Sequence, residues 1–377
     1  MPRMTMITRG IVLVAVCAAA VTACTPPLPP DVLAAQAENT IVCQSGSQNV
    51  SMPDDFAGAM SLVNGNLSGV CVDQSITEVL PGEPATLQVI DHAPTTDDIA
   101  AFKQNCPTNP IVVPAFGYAV GLAYNIIGLD GLVLTPEVIA GMLSGAITSW
   151  EDPKIAEANA GIDLTGLPPI AIAALDAPSG AVEAMTTWLS KAAPKDWTSG
   201  PTATLANATT TFPTAIDLMG ELTAMEGTIA VVPVVSAATN AVPVASLPVQ
   251  DLVIAPDDTQ SQKIGLGATT ITKDEAGNLL ASPAVGGVPV EGNLDLAASK
   301  VVLAEGQPVL GWPVMGVAHL VVCDDPKDPL PLSTAQYVVR LAGQGGFETF
   351  GVTPLPEPIR IQTFAPLKVT VAPPSSS

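Results

Sequence analysis

Long apolar runs alternate along the chain with segments of helical periodicity. Residues 111–126 form one such run, Ile-Val-Val-Pro-Ala-Phe-Gly-Tyr-Ala-Val-Gly-Leu-Ala-Tyr-Asn-Ile. Its length and β-branched content predict a long buried strand that crosses between two lobes. Shorter apolar runs at 170–175, 228–235 and 314–323 predict further buried strands. Because helical segments separate these strands, the pattern indicates an α/β fold.

The clearest helix is predicted to begin at Thr135. Thr135 suits the N-cap, and Pro136 suits the first helical position. Gly145 can end the helix. The apolar residues between them fall on one face: Val138, Ile139, Met142 and Leu143. Weaker patterns predict strands over 38–44, 69–76 and 86–90, and helices from Pro53 and over 97–103, 180–192 and 334–342.

The N-terminus has the features of an export signal. Arg3 and Arg9 precede an apolar stretch that is too short to cross a bilayer, and small residues follow it. A Cys directly after Val-Thr-Ala is typical of a bacterial lipobox, so residues 1–23 are predicted to be a lipoprotein signal peptide and Cys24 the lipidated first residue. The alternative is ordinary signal cleavage with an incidental Cys24. The proline-rich residues 24–37 then form a tether that holds an exported domain at the extracytoplasmic face of the cell membrane.

The mature chain keeps four cysteines after Cys24, namely Cys43, Cys71, Cys106 and Cys323. An even number in an exported protein predicts two disulfides, and three pairings are possible. Cys43 and Cys71 each lie in a short strand-like stretch, which favours Cys43–Cys71 together with Cys106–Cys323. No CxxC pair occurs and the two histidines lie far apart in the sequence, so no metal site is predicted.

Charged residues are few and strongly unbalanced. The chain has 35 acidic and 13 basic residues, which gives a formal net charge of −22. Nucleic acids and anionic membrane surfaces both bind through a basic footprint. The composition therefore excludes these two classes of partner.

One block of the chain resembles a known family. Residues 117–155 contain Leu-Ala-Tyr-Asn, then Leu-Thr-Pro-Glu, then Gly-Ala-Ile-Thr-Ser-Trp-Glu-Asp-Pro. This block is similar to the phosphate-binding substrate-binding proteins of bacterial ABC importers. Three later segments follow the order that they have in that family: Glu226–Ala230, Gly311–Val314 and Gly351–Pro356.

The resemblance implies a periplasmic-binding-protein-like fold of type 2, in which two α/β lobes are joined by two crossing hinge strands. The first lobe would comprise residues 38–115 and 318–365, the second residues 116–317. Residues 366–377 would be a C-terminal tail, either disordered or a linker. Such proteins bind oxyanions through N–H groups at helix N-termini, hydroxyl groups, one Arg and one Asp, without a cofactor.

The family's main anion loop falls at the start of a predicted helix. Ser179 and Gly180 match the family's pattern, and Asp176 matches it with a shift of one residue. The family's Arg has no counterpart here, and its Thr pair falls on Ala181 and Val182. The same stretch is also an ordinary helix cap with Pro near the first turn.

Two further family elements have approximate counterparts. A turn whose Asp touches the anion falls on Asp91 and His92, either of which can face the cleft unless this is an ordinary surface turn. The charge of His92 is expected to change between pH 5 and 8. The other element falls near Ser45, Gly46 and Ser47, which offer hydroxyl and N–H groups although the family's motif is absent.

The distribution of basic residues bears on this site. No Lys or Arg occurs between positions 10 and 102, and the only arginines after the signal are Arg340 and Arg360. An Arg can donate two charge-assisted hydrogen bonds to an anion. Without them, anion binding is weaker by about two to four powers of ten.

Three functions follow from these observations. The first is a membrane-anchored solute-binding lipoprotein that captures phosphate or a related oxyanion for the permease of an ABC importer. The second is a degenerate module of the same fold, with its ligand changed or lost, that acts as a sensor or interaction protein. The third is a hydrolase with Ser179 as nucleophile, and it is not favoured because Ser179 lies outside a G-x-S-x-G elbow and nothing in the sequence places a His beside it. The protein is therefore predicted not to be an enzyme.

Overall fold

The structure is a computed structural model. It describes residues 36, 38–80, 82–249, 251–267, 269–282, 295–296, 299–300 and 311–369. The predicted signal peptide 1–23, Cys24, all of the tether 24–37 except residue 36, and residues 370–377 of the predicted tail lie outside the described residues. Within the described ranges, no helix combines the length and the apolar composition that crossing a bilayer requires.

Strands and helices alternate along most of the described chain. The strands are β1 (Gly46–Ser51), β2 (Gln74–Val79), β3 (Leu87–Ile90), β4 (Ile111–Tyr124), β5 (Ala171–Leu175), β6 (Thr210–Phe212), β7 (Thr228–Pro233), β8 (Leu247–Val249), β9 (Leu252–Ile254), β10 (Thr270–Lys273), β11 (Leu279–Ser282), β12 (Asp295–Leu296), β13 (Ser299–Lys300), β14 (Met315–Val322) and β15 (Val352–Pro354). The helices are α1 (Ala57–Val70), α2 (Thr96–Phe102), α3 (Pro136–Leu143), α4 (Pro153–Ala158), α5 (Gly180–Ala192), α6 (Ala215–Ala224), α7 (Val234–Thr239), α8 (Thr259–Leu266), α9 (Leu330–Val338), α10 (Leu341–Gln344) and α11 (Glu357–Arg360). Short 3₁₀ helices occur at Asp54–Phe56, Lys103–Asn105, Phe347–Phe350 and Ile361–Thr363.

One mixed sheet runs through the whole fold in the order β2-β1-β3-β14-β4-β7-β5-β6, and β15 also pairs with β4. β1 is parallel to β2 and β3, and β5 is parallel to β6 and β7. β14 is antiparallel to both of its neighbours, β3 and β4. We call the half that contains β1, β2, β3 and β14 the first lobe, and the half that contains β5, β6 and β7 the second lobe.

Strand β4 belongs to both lobes. Its first part pairs with β14 as far as Ala119, and its second part pairs with β7 from Val120 to Tyr124. A second connection crosses beside it, where the N–H of Val120 donates to the carbonyl of Val314 at 2.9 Å and the indole of Trp312 donates to the carbonyl of Val120 at 2.8 Å. The predicted two-lobe α/β fold with two crossing strands is therefore confirmed.

The strongest local signals are also confirmed. The Thr135 hydroxyl accepts a hydrogen bond from the N–H of Val138 at 3.3 Å, and Pro136 is the first residue of α3. After α3, Gly145 has a φ of +77°, a left-handed conformation that favours glycine. All four predicted apolar positions of this helix are buried.

The first two strands lie further along the chain than predicted. The predicted strand 38–44 is irregular at residues 40–44, and β1 occupies Gly46–Ser51 instead. β1 is polar, but it is an inner strand with β2 and β3 on its two edges, so sheet pairing outweighs the β-propensity of the more apolar stretch before it. Likewise, β2 begins at Gln74 because α1 continues to Val70.

The two predicted disulfides are both formed. Cys43 pairs with Cys71, and Cys106 pairs with Cys323. The first disulfide attaches the segment before β1 to the end of α1. The second joins the chain before β4 to the residue that follows β14, so it lies at the far end of the first lobe's central strands.

Arg340 and Arg360 both stabilise the N-terminal segment of the first lobe. The Arg340 guanidinium is buried and donates to the carbonyls of Thr40 and Gln336. The Arg360 guanidinium, 1% exposed, forms an ion pair with Glu38. Neither side chain lines the cavity between the lobes that is described below.

The segment from α8 to β11 covers the first lobe's sheet. α8 packs on β4, β14 and β15, and β11 packs on β4 and β14. These residues fall inside the range 116–317 assigned to the second lobe from the sequence, although they contact strands of the first. The residue limits of the lobes stay a prediction.

A buried histidine bonds to the segment from α8 to β11. Nε2 of His319, on β14, accepts the N–H of Ala281 at 3.0 Å, and its Nδ1 makes no hydrogen bond to a described residue. Burial lowers the pKa of His319 to about 4.

We expect this histidine to make the fold sensitive to acid. Below pH 6.5 the unfolded chain binds a proton that the folded protein binds only near pH 4, so stability falls as the pH decreases between these values. The loss is about 3 kcal/mol. Urea unfolding of the wild type and of His319→Gln at pH 7 and pH 4.5 measures it. Glutamine keeps an acceptor but does not titrate, so equal pH dependence in the two proteins would contradict the prediction.

Candidate functional site

The two lobes meet where β3 ends and α5 begins. Asp91 directly follows β3 in the first lobe, and Ser179 is the N-cap residue of α5 in the second. Oδ2 of Asp91 accepts the N–H of Gly180 at 2.7 Å. The first N–H groups of a helix have no partner within the helix and lie at its positive end, so this bond is charge-assisted.

Glycine is required at the start of α5 by this close approach. A Cβ at Gly180 would lie 2.3 Å from the backbone oxygen of Asp91 and 2.8 Å from its carboxyl carbon. Any other residue would therefore push the two lobes apart at this point.

A buried tyrosine fixes the backbone of Asp91. Tyr118 lies on β4, and its hydroxyl donates to the carbonyl of Asp91 at 2.5 Å. Because β14 lies between β3 and β4, the Tyr118 ring has to pass over β14. Gly316 faces Tyr118 in the register, and a Cβ there would lie 2.1 Å from the ring. Gly316 therefore makes room for the ring that positions Asp91.

His92 lies between two carboxylates. Its Nδ1 is 2.8 Å from Oδ1 of Asp91, and its Nε2 is 3.2 Å from Oδ2 of Asp98. Burial lowers the pKa of His92, but the hydrogen bonds and charges of Asp91 and Asp98 outweigh it and raise the pKa to about 9. The predicted change of charge between pH 5 and 8 is therefore wrong, because His92 stays protonated throughout that interval.

A cavity of about 120 Å³ opens beside these residues, with room for several water molecules. Both lobes contribute to it. Its ionisable lining residues are Asp91, His92 and Glu183, and no Lys or Arg of the described chain lines it. Positive charge in the cavity thus comes from His92 and from the N-terminal end of α5.

A second carboxylate of the first lobe also bonds to the second lobe. Asp55, in the 3₁₀ helix that follows β1, accepts the hydroxyl hydrogen bond of Ser236 on α7. Burial, opposed by this hydrogen bond and assisted by the charges of Asp91 and Asp54, raises the pKa of Asp55 to about 6. A cavity of about 480 Å³ lies beside this contact.

Asp55 and Ser236 were missed in the sequence. Pro53, Asp54 and Asp55 lie at the carboxyl end of β1, the edge at which β3 carries Asp91. Because the sequence pattern places β1 too early in the chain, the corresponding loop is predicted at Ser45, Gly46 and Ser47 instead. A Pro followed by two acids at a helix start was the available signal.

The structure brings some of the predicted residues together and separates others. Asp91, His92 and Gly180 meet, with Ser179 buried beside them as the N-cap. Asp176 is exposed and does not line the cavity. Ser45 lies just before β1, where Gly46 and Ser47 begin the strand, so these three residues lie at the opposite end of β1 from Asp55.

Among the described residues, Ser179 lacks the histidine partner of a serine nucleophile. The Ser179 hydroxyl has no hydrogen-bonded histidine, because both ring nitrogens of His92 contact Asp91 and Asp98, and Nε2 of His319 bonds to Ala281. No group of three or more metal-ligating side chains occurs in the described part of the chain.

The two lobes, the crossing connections and the cavity between the lobes are the architecture of a type 2 periplasmic-binding-protein-like fold. No protein-family model matches the chain. A stretch of 103 residues is 29% identical to the phosphate-binding protein PstS 3 of Mycobacterium leprae (strain TN), covering 27% of this chain and 28% of that relative. The match thus spans less than a third of the curated relative.

Solved structures match over most of the chain. PfluDING, a high affinity periplasmic phosphate-binding protein solved with phosphate bound, has a TM-score of 0.58 at 16% identity, covering 85% of this chain and 93% of its own. A phosphate-binding protein from Stenotrophomonas maltophilia has a TM-score of 0.54 at 16% identity, with the same coverages of 85% and 93%. The predicted fold and the predicted resemblance to phosphate-binding substrate-binding proteins are confirmed by these likenesses.

The two histidines should titrate far apart. We expect NMR of histidine-labelled protein to show one ring with a pKa of about 9 and the other with a pKa of about 4, because Asp91 and Asp98 hold a proton on His92 whereas burial keeps His319 neutral. His92→Gln assigns the signals. A midpoint near 6.5 for either ring would contradict the structure.

Proposed function

We propose that this protein is an extracytoplasmic solute-binding protein that captures phosphate or a related oxyanion between its lobes and delivers it to the permease of an ABC importer. The observation that carries the proposal is the cavity at which the first N–H of α5 and the protonated His92 face one another across the two lobes. Helix N-termini and cationic donors are the groups with which proteins bind oxyanions. The phosphate-binding proteins that share the fold support the same hypothesis.

The acidic lining of the cavity favours an oxyanion that still carries a proton. Glu183 is an acceptor in this lining, so it binds a protonated oxygen and repels a fully deprotonated ion. At neutral pH phosphate has such a proton and sulfate does not. We therefore propose phosphate over sulfate, with an affinity limited because no Arg occurs among the described lining residues.

A second candidate function is supported by one observation. The Asp91 carboxylate already occupies the N–H of Gly180, and no Lys or Arg of the described residues lines the cavity to attract a free anion. A degenerate module, whose ligand is changed or lost and which acts as a sensor or interaction protein, would have such a cleft.

Calorimetry separates the two candidates. We expect micromolar or tighter binding of phosphate to protein freed of bound solute by unfolding and refolding, and weaker binding of sulfate. Gly180→Ala should weaken phosphate binding roughly tenfold or more, or about 1.4 kcal/mol, because its Cβ fills the contact between the lobes.

Gly220→Ala is the matched control, since it lies on a second-lobe helix and its Cβ would meet nothing within 4 Å. Equal phosphate affinities for the two variants would show that phosphate does not bind in this cavity. A folded wild type that gives no heat with phosphate, sulfate or a panel of neutral solutes would favour the degenerate module.

We also propose that Cys24 is lipidated after removal of residues 1–23 and that residues 24–37 tether the lobes to the cell membrane. A labelled fatty acid should enter the wild-type protein and be lost in Cys24→Ala, which then leaves the membrane fraction. Cys17→Ala, inside the predicted signal, is the control and should keep the label. Label retained in Cys24→Ala would show that the anchor lies elsewhere.

A further inference from the structure

The carboxylate of Asp91 lies where an anion would meet α5. Its Oδ2 is 2.7 Å from the nitrogen of Gly180, and its Oδ1 is 2.8 Å from Nδ1 of His92. Two positive groups of the described lining, the helix N-terminus and the imidazolium, thus share one carboxylate of the chain itself. The same bond joins the end of β3 in the first lobe to α5 in the second.

This placement differs from that of an acceptor that recognises a protonated ion. Such an acceptor faces the ion and leaves the N–H groups of the helix to the ion's oxygens. Asp91 instead uses the helix N–H itself, and its backbone is held there by the hydroxyl of Tyr118 at 2.5 Å. Its side chain is only 18% exposed, so water competes little for this bond.

We infer that Asp91 is a tethered anion: without solute it bonds to the N-terminus of α5 and holds the lobes together, and an incoming oxyanion has to displace it. This inference rests on the proposed function, of which it describes the regulation. A built-in competitor raises the apparent dissociation constant by the inverse of the fraction of molecules in which it has left the site. The Asp91 carboxylate also assists release of the solute, because it returns to the N–H of Gly180 as the solute departs.

Two measurements on Asp91→Ala test this inference. Hydrogen exchange of the amide of Gly180 should become faster in the solute-free variant, because its acceptor is gone. The dissociation constant for inorganic phosphate should fall by roughly 10- to 100-fold, the range of one charge-assisted hydrogen bond. Asp176→Ala is the matched control: it removes an exposed carboxylate four residues before Gly180 that does not line the cavity, and both quantities should stay as in the wild type.

Each outcome decides the matter. Unchanged exchange at Gly180, or weaker phosphate binding in Asp91→Ala than in the wild type, overturns the tethered anion, and the second result leaves phosphate capture intact with Asp91 as an ordinary ligand group. If phosphate binds neither protein, the proposed function fails, and the exchange rate alone decides whether Asp91 holds the lobes. Asp91→Asn keeps the size of the side chain and an acceptor oxygen but removes the charge, so it serves for the phosphate measurement if Asp91→Ala does not fold.

Discussion

The burial of strand β4 is the constraint on which the rest of the architecture depends. Every residue from Val112 to Tyr124 is buried, so the strand needs partners on both edges and cover on both faces. Gly117 and Gly121 admit the side chains of Leu266 and Val244, since a Cβ at either glycine would lie 2.2 and 2.3 Å from them. One strand thereby lies in the core of both lobes, and the cavity forms beside the place where it passes between them.

Arg340 and Arg360 stabilise the first lobe and do not line the cavity. The two arginines are used to hold the N-terminal segment, where they pair with Glu38 and with backbone carbonyls. The cleft is left with an imidazolium and a helix N-terminus, both in contact with Asp91. Asp55 makes a second contact to the other lobe through Ser236, and in both contacts a first-lobe carboxylate accepts a hydrogen bond from the second lobe.

Much of the fold could be predicted from the sequence, because the strongest signals were set by local chemistry or by burial. The apolar run of β4, the capped helix α3 and both disulfides all agree with the structure. The N-terminal strands could not be placed, since β1 is polar and forms through pairing with strands distant in the sequence. The pairing of Asp91 with Gly180 also lay beyond the sequence, because it joins residues 89 positions apart on different lobes.

The disulfide between Cys106 and Cys323 closes a loop of 217 residues that contains β4 and the strands of the second lobe. A protease that cuts once anywhere inside this loop leaves two fragments that remain covalently joined. Such a nicked molecule migrates as a single species on a non-reducing gel and separates into two only after reduction. A cut within the second lobe therefore does not release that lobe from the first.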